Sequence, residues 1–238
     1  MKILSIGNSF SQDATRYLYG IARADGVAIK AVNLYIGGCS LARHFRNMMA
    51  DEAAYDFEIN GMTNTGIKIS IREALLSDEW DIVTVQQQSL KSAEYETFQP
   101  YLDALVAYIR KYVPKATLLF HQTWGYKPDS EMLKRTVYET HGDMFRAIQV
   151  AYATASETYG AGRIPSGEAV LEANRRGAPH LYRDEFHMSR GFGRYLLGLV
   201  WYRTLTGRTV TDNTFRDFDE ALSEEEITLA KSIAENIK

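Results

Sequence analysis

A three-layer α/β fold is the architecture that three features of this 238-residue sequence predict. Short β-branched, apolar runs recur along the chain and end in glycine or small polar residues. Stretches with apolar residues at three- and four-residue spacing lie between them. Runs and stretches alternate as parallel strand–helix–strand units do, with helices covering both faces of one sheet. Hydrophobic residues make up 45% of the chain and charged residues 24%, which excludes a disordered or fibrous protein. No repeat, proline-rich linker or low-complexity tract divides it, so one domain over residues 1–238 is expected.

Residues 2–7 read as the first strand, and Asn8-Ser9-Phe10-Ser11 as a turn leading into a helix. Ala14, Tyr17, Leu18, Ile21 and Ala22 carry that helix to a glycine stop at Gly26. The second strand spans 27–36 and ends at Gly37-Gly38, after which a helix begins near Ser40. Alternation around Asn60-Gly61 predicts a small hairpin inserted near 55–71. Residues 81–85 form the third strand, running into Gln86-Gln87-Gln88-Ser89, and Phe98 to Ile109 a helix closed near Pro114. The fourth strand is 116–120, followed by a long helical region over about 130–159, a short apolar piece at 163–165 and a helix over 167–174. Two helices, about 190–205 and 223–237, finish the chain.

Lys plus Arg number 27 against 30 Asp plus Glu, a net charge of −3 without like-charge runs, so neither nucleic acid nor membrane is an expected partner. The single cysteine, Cys39, excludes an internal disulfide and a Cys-rich zinc site. His44, His121, His141, His180 and His187 show no metal-ligand spacing, so no metal is expected. Met1 leads straight into the first strand, with no basic region and signal-length apolar run, which sets the expectation of a cytoplasmic protein. The oligomeric state is left open.

In a parallel sheet, ligands bind beyond the carboxyl ends of the strands. Ser9, on the turn after the first strand and at a helix N-terminus, is placed to be a nucleophile, or else merely to help form the turn and cap the helix. Asp184-Glu185-Phe186-His187 puts a carboxylate three residues before a histidine, where it can hold the Nδ1 proton while Nε2 faces outward. The bland reading is an acidic loop with a surface histidine. Cys39 is a weaker nucleophile candidate, with His44 as its nearest possible base.

The order of an early serine and a late Asp-x-x-His resembles the SGNH/GDSL hydrolase superfamily, over essentially the whole chain. The resemblance implies a flavodoxin-like α/β/α sandwich with a central parallel sheet, and a triad of Ser9, His187 and Asp184. It also implies an oxyanion hole from the N–H groups of Ser9 and Gly38. Gly7-Asn8-Ser9 is similar to the family's Gly-Asp-Ser, and Gly37-Gly38 stands at its glycine block. Gln86-Gln87-Gln88-Ser89 departs from Gly-x-Asn-Asp and resembles a poorly characterised branch with Gln-x-Gln-Ser, so Gln88 or Gln86 is the expected third donor. Along a strand Gln86 and Gln88 share a side while Gln87 points away. Asn8, Gly37 and Trp124 are the expected substrate contacts, and residues 164–168 a further part of the mouth.

The expected activity is hydrolysis of short-chain acyl esters, with O-acetyl groups on carbohydrates as substrate and no cofactor. The alternative is a non-catalytic module binding phosphate or another anion at the first strand–helix turn. The distance between Ser9 and His187 separates the two.

Overall fold

The computed structural model describes residues 1–237. Its centre is β1 (Lys2–Gly7), whose Leu4 and Ile6 face one side and whose Ile3 and Ser5 face the other. β2 (Lys30–Tyr35) lies parallel on one flank, and β5 (Ile82–Val85), β6 (Thr117–His121) and β7 (Gly162–Ile164) lie parallel on the other. β3 (Tyr55–Ile59) and β4 (Lys68–Ile69) extend the β2 edge antiparallel, giving seven strands in the order β4-β3-β2-β1-β5-β6-β7. The winding reverses between β1 and β5. A crevice therefore opens at their carboxyl ends.

Two apolar cores sandwich this sheet. On one face are α1 (Ser9–Thr15), α2 (Leu18–Ala24), α8 (Ser166–Arg175), α9 (Phe192–Thr206) and α10 (Glu224–Asn236). On the other are α3 (Leu41–Ala50), α4 (Ile71–Leu76), α5 (Tyr101–Tyr112) and α7 (His141–Tyr159). The three-layer expectation holds. No helix among the described residues is long and apolar enough to cross a membrane.

Several expected elements differ. The segment near 55–71 forms an antiparallel pair, β3 and β4, that is part of the main sheet: Asn60-Gly61 turns the chain, with Ile59 and Met62 exchanging N–H bonds of 2.9 and 3.1 Å, and β3 pairs with β2. The first helix breaks at Arg16-Tyr17, which the unbroken apolar spacing conceals. The 130–159 region divides into α6 (Glu131–Lys134) and α7, because Thr140 accepts the Asp143 N–H (3.1 Å) and starts a new helix. α4 was not anticipated, although Ser70 and Glu73 form a capping box at its start.

Candidate active site

The turn after β1 is built by close approach. A Cβ on Gly7 would stand 2.0 Å from Ser11 Oγ, so only glycine lets α1 begin directly above the strand end. Asn8 caps α1: its Oδ1 accepts the Phe10 N–H (3.0 Å), while its own N–H donates to Ser11 Oγ (3.0 Å). Ser9 is the first helical residue, half-buried, with its N–H among the donors that a helix leaves without an internal partner.

Across the crevice, the loop after α8 folds around one carboxylate. Asp184 Oδ1 accepts the N–H groups of Phe186 (2.9 Å) and His187 (2.7 Å), and Oδ2 accepts the His187 Nδ1–H (2.7 Å). Burial pushes the Asp184 carboxyl up, but the hydrogen bonds from His187 and Phe186 outweigh it and hold the group below the usual carboxylate range. A carboxylate only accepts, so Nδ1 carries the imidazole proton and Nε2 presents a lone pair. Ser9 Oγ lies 2.9 Å from that Nε2.

Asp13, one turn beyond Ser9 and fully buried, fastens this loop to α1. It accepts from Arg183 (2.8 and 2.9 Å), Arg194 (2.9 Å) and the Met188 N–H (3.2 Å). Nothing in the sequence singled Asp13 out.

A cleft of about 260 Å³ opens beside Ser9. Its polar wall holds Ser9, Gly37, Gly38, Gln88 and His187, and its apolar wall Phe10, Leu90, Tyr126, Met132 and Phe186. Gly38 has φ +60°, a left-handed conformation that favours glycine. Gln88 lines the cleft, and its amide has no hydrogen-bond partner among the described residues.

Three expected roles are revised. Gln86 is 2% exposed and does not line the cleft; its Nε2 donates to Asn8 Oδ1 (2.7 Å) and its Oε1 faces His121 Nδ1 at 2.5 Å. Gln86 and Gln88 do not share a strand face, because β5 ends at Val85 and both residues lie in the loop that follows. Trp124 is fully buried rather than a pocket floor: it stacks flat on Phe10, centroids 4.0 Å apart, and donates to the Phe186 carbonyl (2.8 Å). Asn8 lines the cleft as expected of a contact residue, and its amide, bonded to Phe10, Gln86 and the Cys39 carbonyl (3.1 Å), also shapes the turn. Residues 164–168 lie outside the cleft lining, with Ser166 buried behind the site.

Cys39 is buried, 3.5 Å from His44 Nδ1, and burial pushes its thiol up to about 12. That leaves no reactive thiolate. Sequence reasoning missed Tyr126 and Phe186 as cleft walls. Phe186 sits inside the Asp-x-x-His segment, where that motif's spacing offered a signal for it.

The family described as "Domain of unknown function (DUF4886)" matches residues 2–237. A crystal structure of a DUF4886 family protein from Bacteroides uniformis ATCC 8492 is similar at 33% identity and a TM-score of 0.92, covering 99% of this chain and 93% of that one. A candidate SGNH hydrolase from Slackia heliotrinireducens shares the fold at 24% identity and a TM-score of 0.60, covering 86% and 98%. The acetyl xylan esterase AlAXEase does so at 15% identity and a TM-score of 0.59, covering 86% and 100%. No curated protein matches the sequence.

Proposed function

The chain belongs to the DUF4886 family, and we propose that it is a serine esterase of the SGNH kind acting on short acyl esters. The observation that carries this reading is the continuous contact from Asp184 Oδ2 through His187 (2.7 Å) to Ser9 Oγ (2.9 Å). A passive anion site would need no histidine at Ser9. In the reaction, Ser9 Oγ attacks the ester carbonyl as its proton passes to His187 Nε2. The N–H groups of Ser9 and Gly38, with the Gln88 amide, hold the oxyanion. His187 returns the proton to the departing alcohol, and water then releases the acyl group from Ser9 by the same sequence.

The cleft is smaller than the ~300–1,000 Å³ usual for small-molecule pockets, which favours a short acyl group against its apolar wall. A second depression of about 420 Å³, lined by Gln12, Asp56, Glu58, Thr63 and Asn64, shares Tyr35 with the cleft. Its polar groups and the tyrosine ring suit the hydroxyls of a sugar, and an acetyl xylan esterase is among the proteins of like fold. O-acetyl carbohydrate is therefore the proposed substrate. Ser9→Ala should abolish hydrolysis of p-nitrophenyl acetate and labelling by a fluorophosphonate while the protein stays folded. Activity retained in that variant would overturn the reading, and octanoate hydrolysed as fast as acetate would overturn the short-acyl assignment.

A further inference from the structure

Behind the Ser9 turn, six residues none more than 2% exposed are joined side to side: Trp201, Ser166, His121, Gln86, Asn8 and Cys39. The direction of the bonds follows from the Cys39 end, where a carbonyl can only accept and the Phe10 N–H marks Asn8 Oδ1 as the acceptor. Trp201 Nε1 can only donate, and it faces Ser166 Oγ at 3.2 Å. Gln86 Oε1 can only accept, so the proton of a neutral His121 sits on Nδ1 and is donated to it (2.5 Å), which leaves His121 Nε2 to accept from the Ser166 hydroxyl (3.0 Å). Gln86 Nε2 donates to Asn8 Oδ1 (2.7 Å), and Asn8 Nδ2 donates to the Cys39 carbonyl (3.1 Å), which can only accept. Reversing Asn8 would set its Oδ1 against the Cys39 carbonyl and its Nδ2 against the Gln86 Nε2 and Phe10 donors, and reversing Gln86 would set its Oε1 against Asn8 Oδ1. Both orientations are fixed.

We propose that Gln86 and His121 are positioning residues, which through this one-way chain lock Asn8, and with it the Gly37–Cys39 loop, against the nucleophile turn. The inference rests on the serine-esterase reading. It also accounts for two departures from the motif that the sequence resembles. Asparagine stands where that motif has aspartate because an aspartate would set a carboxylate oxygen against the Cys39 carbonyl. Glutamine stands where it has the glycine of Gly-x-Asn-Asp because the added amide reaches Asn8. Burial independently lowers the His121 pKa to about 3, in keeping with a neutral ring.

Gln86→Met keeps the length of the side chain but has no N–H, so it cannot donate to Asn8. Its kcat on p-nitrophenyl acetate should fall about 10²-fold, comparable to losing one oxyanion donor, with KM little changed. His121→Leu should fall similarly, whereas His121→Asn, whose Nδ2–H can replace the Nδ1–H, should retain most of kcat. Fluorophosphonate titration of folded sites normalises each rate. An independent readout uses the wild-type protein: nitrogen-15 NMR should find His121 as the Nδ1–H tautomer, unchanged from about pH 5 to pH 9. Unchanged kcat in Gln86→Met, or the Nε2–H tautomer in the wild type, would overturn the proposal alone. A wild-type protein that neither hydrolyses the ester nor takes the label would overturn the esterase reading, and this inference with it.

Discussion

Truncating Gln88 isolates the third proposed donor. Gln88→Ala leaves the packed chain behind Ser9 intact, and kcat should drop about 10²–10³-fold with KM nearly constant, as measured by steady-state kinetics on an aryl acetate. Asp184→Asn should cost about 10³–10⁴-fold, because an amide no longer enforces the Nδ1–H tautomer of His187. Asp184 stays ionised below the usual carboxylate range, so the wild-type acidic limb of kcat/KM should not follow an ordinary Asp titration. At this scale the sequence was most legible where chemistry is local. A serine directly after a strand and an Asp-x-x-His segment declare themselves by spacing, whereas Trp124 and Gln86 depend on burial that no local pattern encodes. A tryptophan at a strand end reads the same whether it floors a pocket or supports Phe10 from beneath.

Between elements, Asp13 joins α1 to the loop carrying His187. Asp13→Ala would leave Arg183 and Arg194 without their shared carboxylate, with an expected loss of about 3–5 kcal/mol in urea unfolding and a fall in kcat as the loop loosens. By periodicity alone this aspartate is only a polar residue on an apolar helix. Apolar spacing persists across the breaks between α1 and α2 and between α6 and α7, and only the second is marked by a side-chain cap, Thr140. α4, a helix of six residues, is too short for a period to emerge.

Across the whole molecule, strand–helix alternation was enough for the parallel sheet, but it carried no information on how the antiparallel pair attaches. That attachment runs through Glu58 of β3, which is 4% exposed and accepts from Asn33 of β2 (2.7 Å) and from Gln12 of α1. Burial raises its pKa from 4.5 to about 7, with Asp56 adding to the rise and Asn33, Gln12 and Arg194 opposing it. A raised carboxyl binds its proton more tightly when folded, so its contribution is fully present below 4.5 and is lost as pH climbs through about 7. Glu58→Gln removes that dependence. Thermal melts should show the variant gaining on the wild type between about pH 5 and pH 8, and parallel curves would refute this assignment.

Ser9 and His187 stand 178 positions apart. A nascent polypeptide arrested anywhere before the imidazole emerges from the ribosome holds a complete first strand and turn yet no base, so translation intermediates should be inert towards esters and acquire reactivity in a single late step.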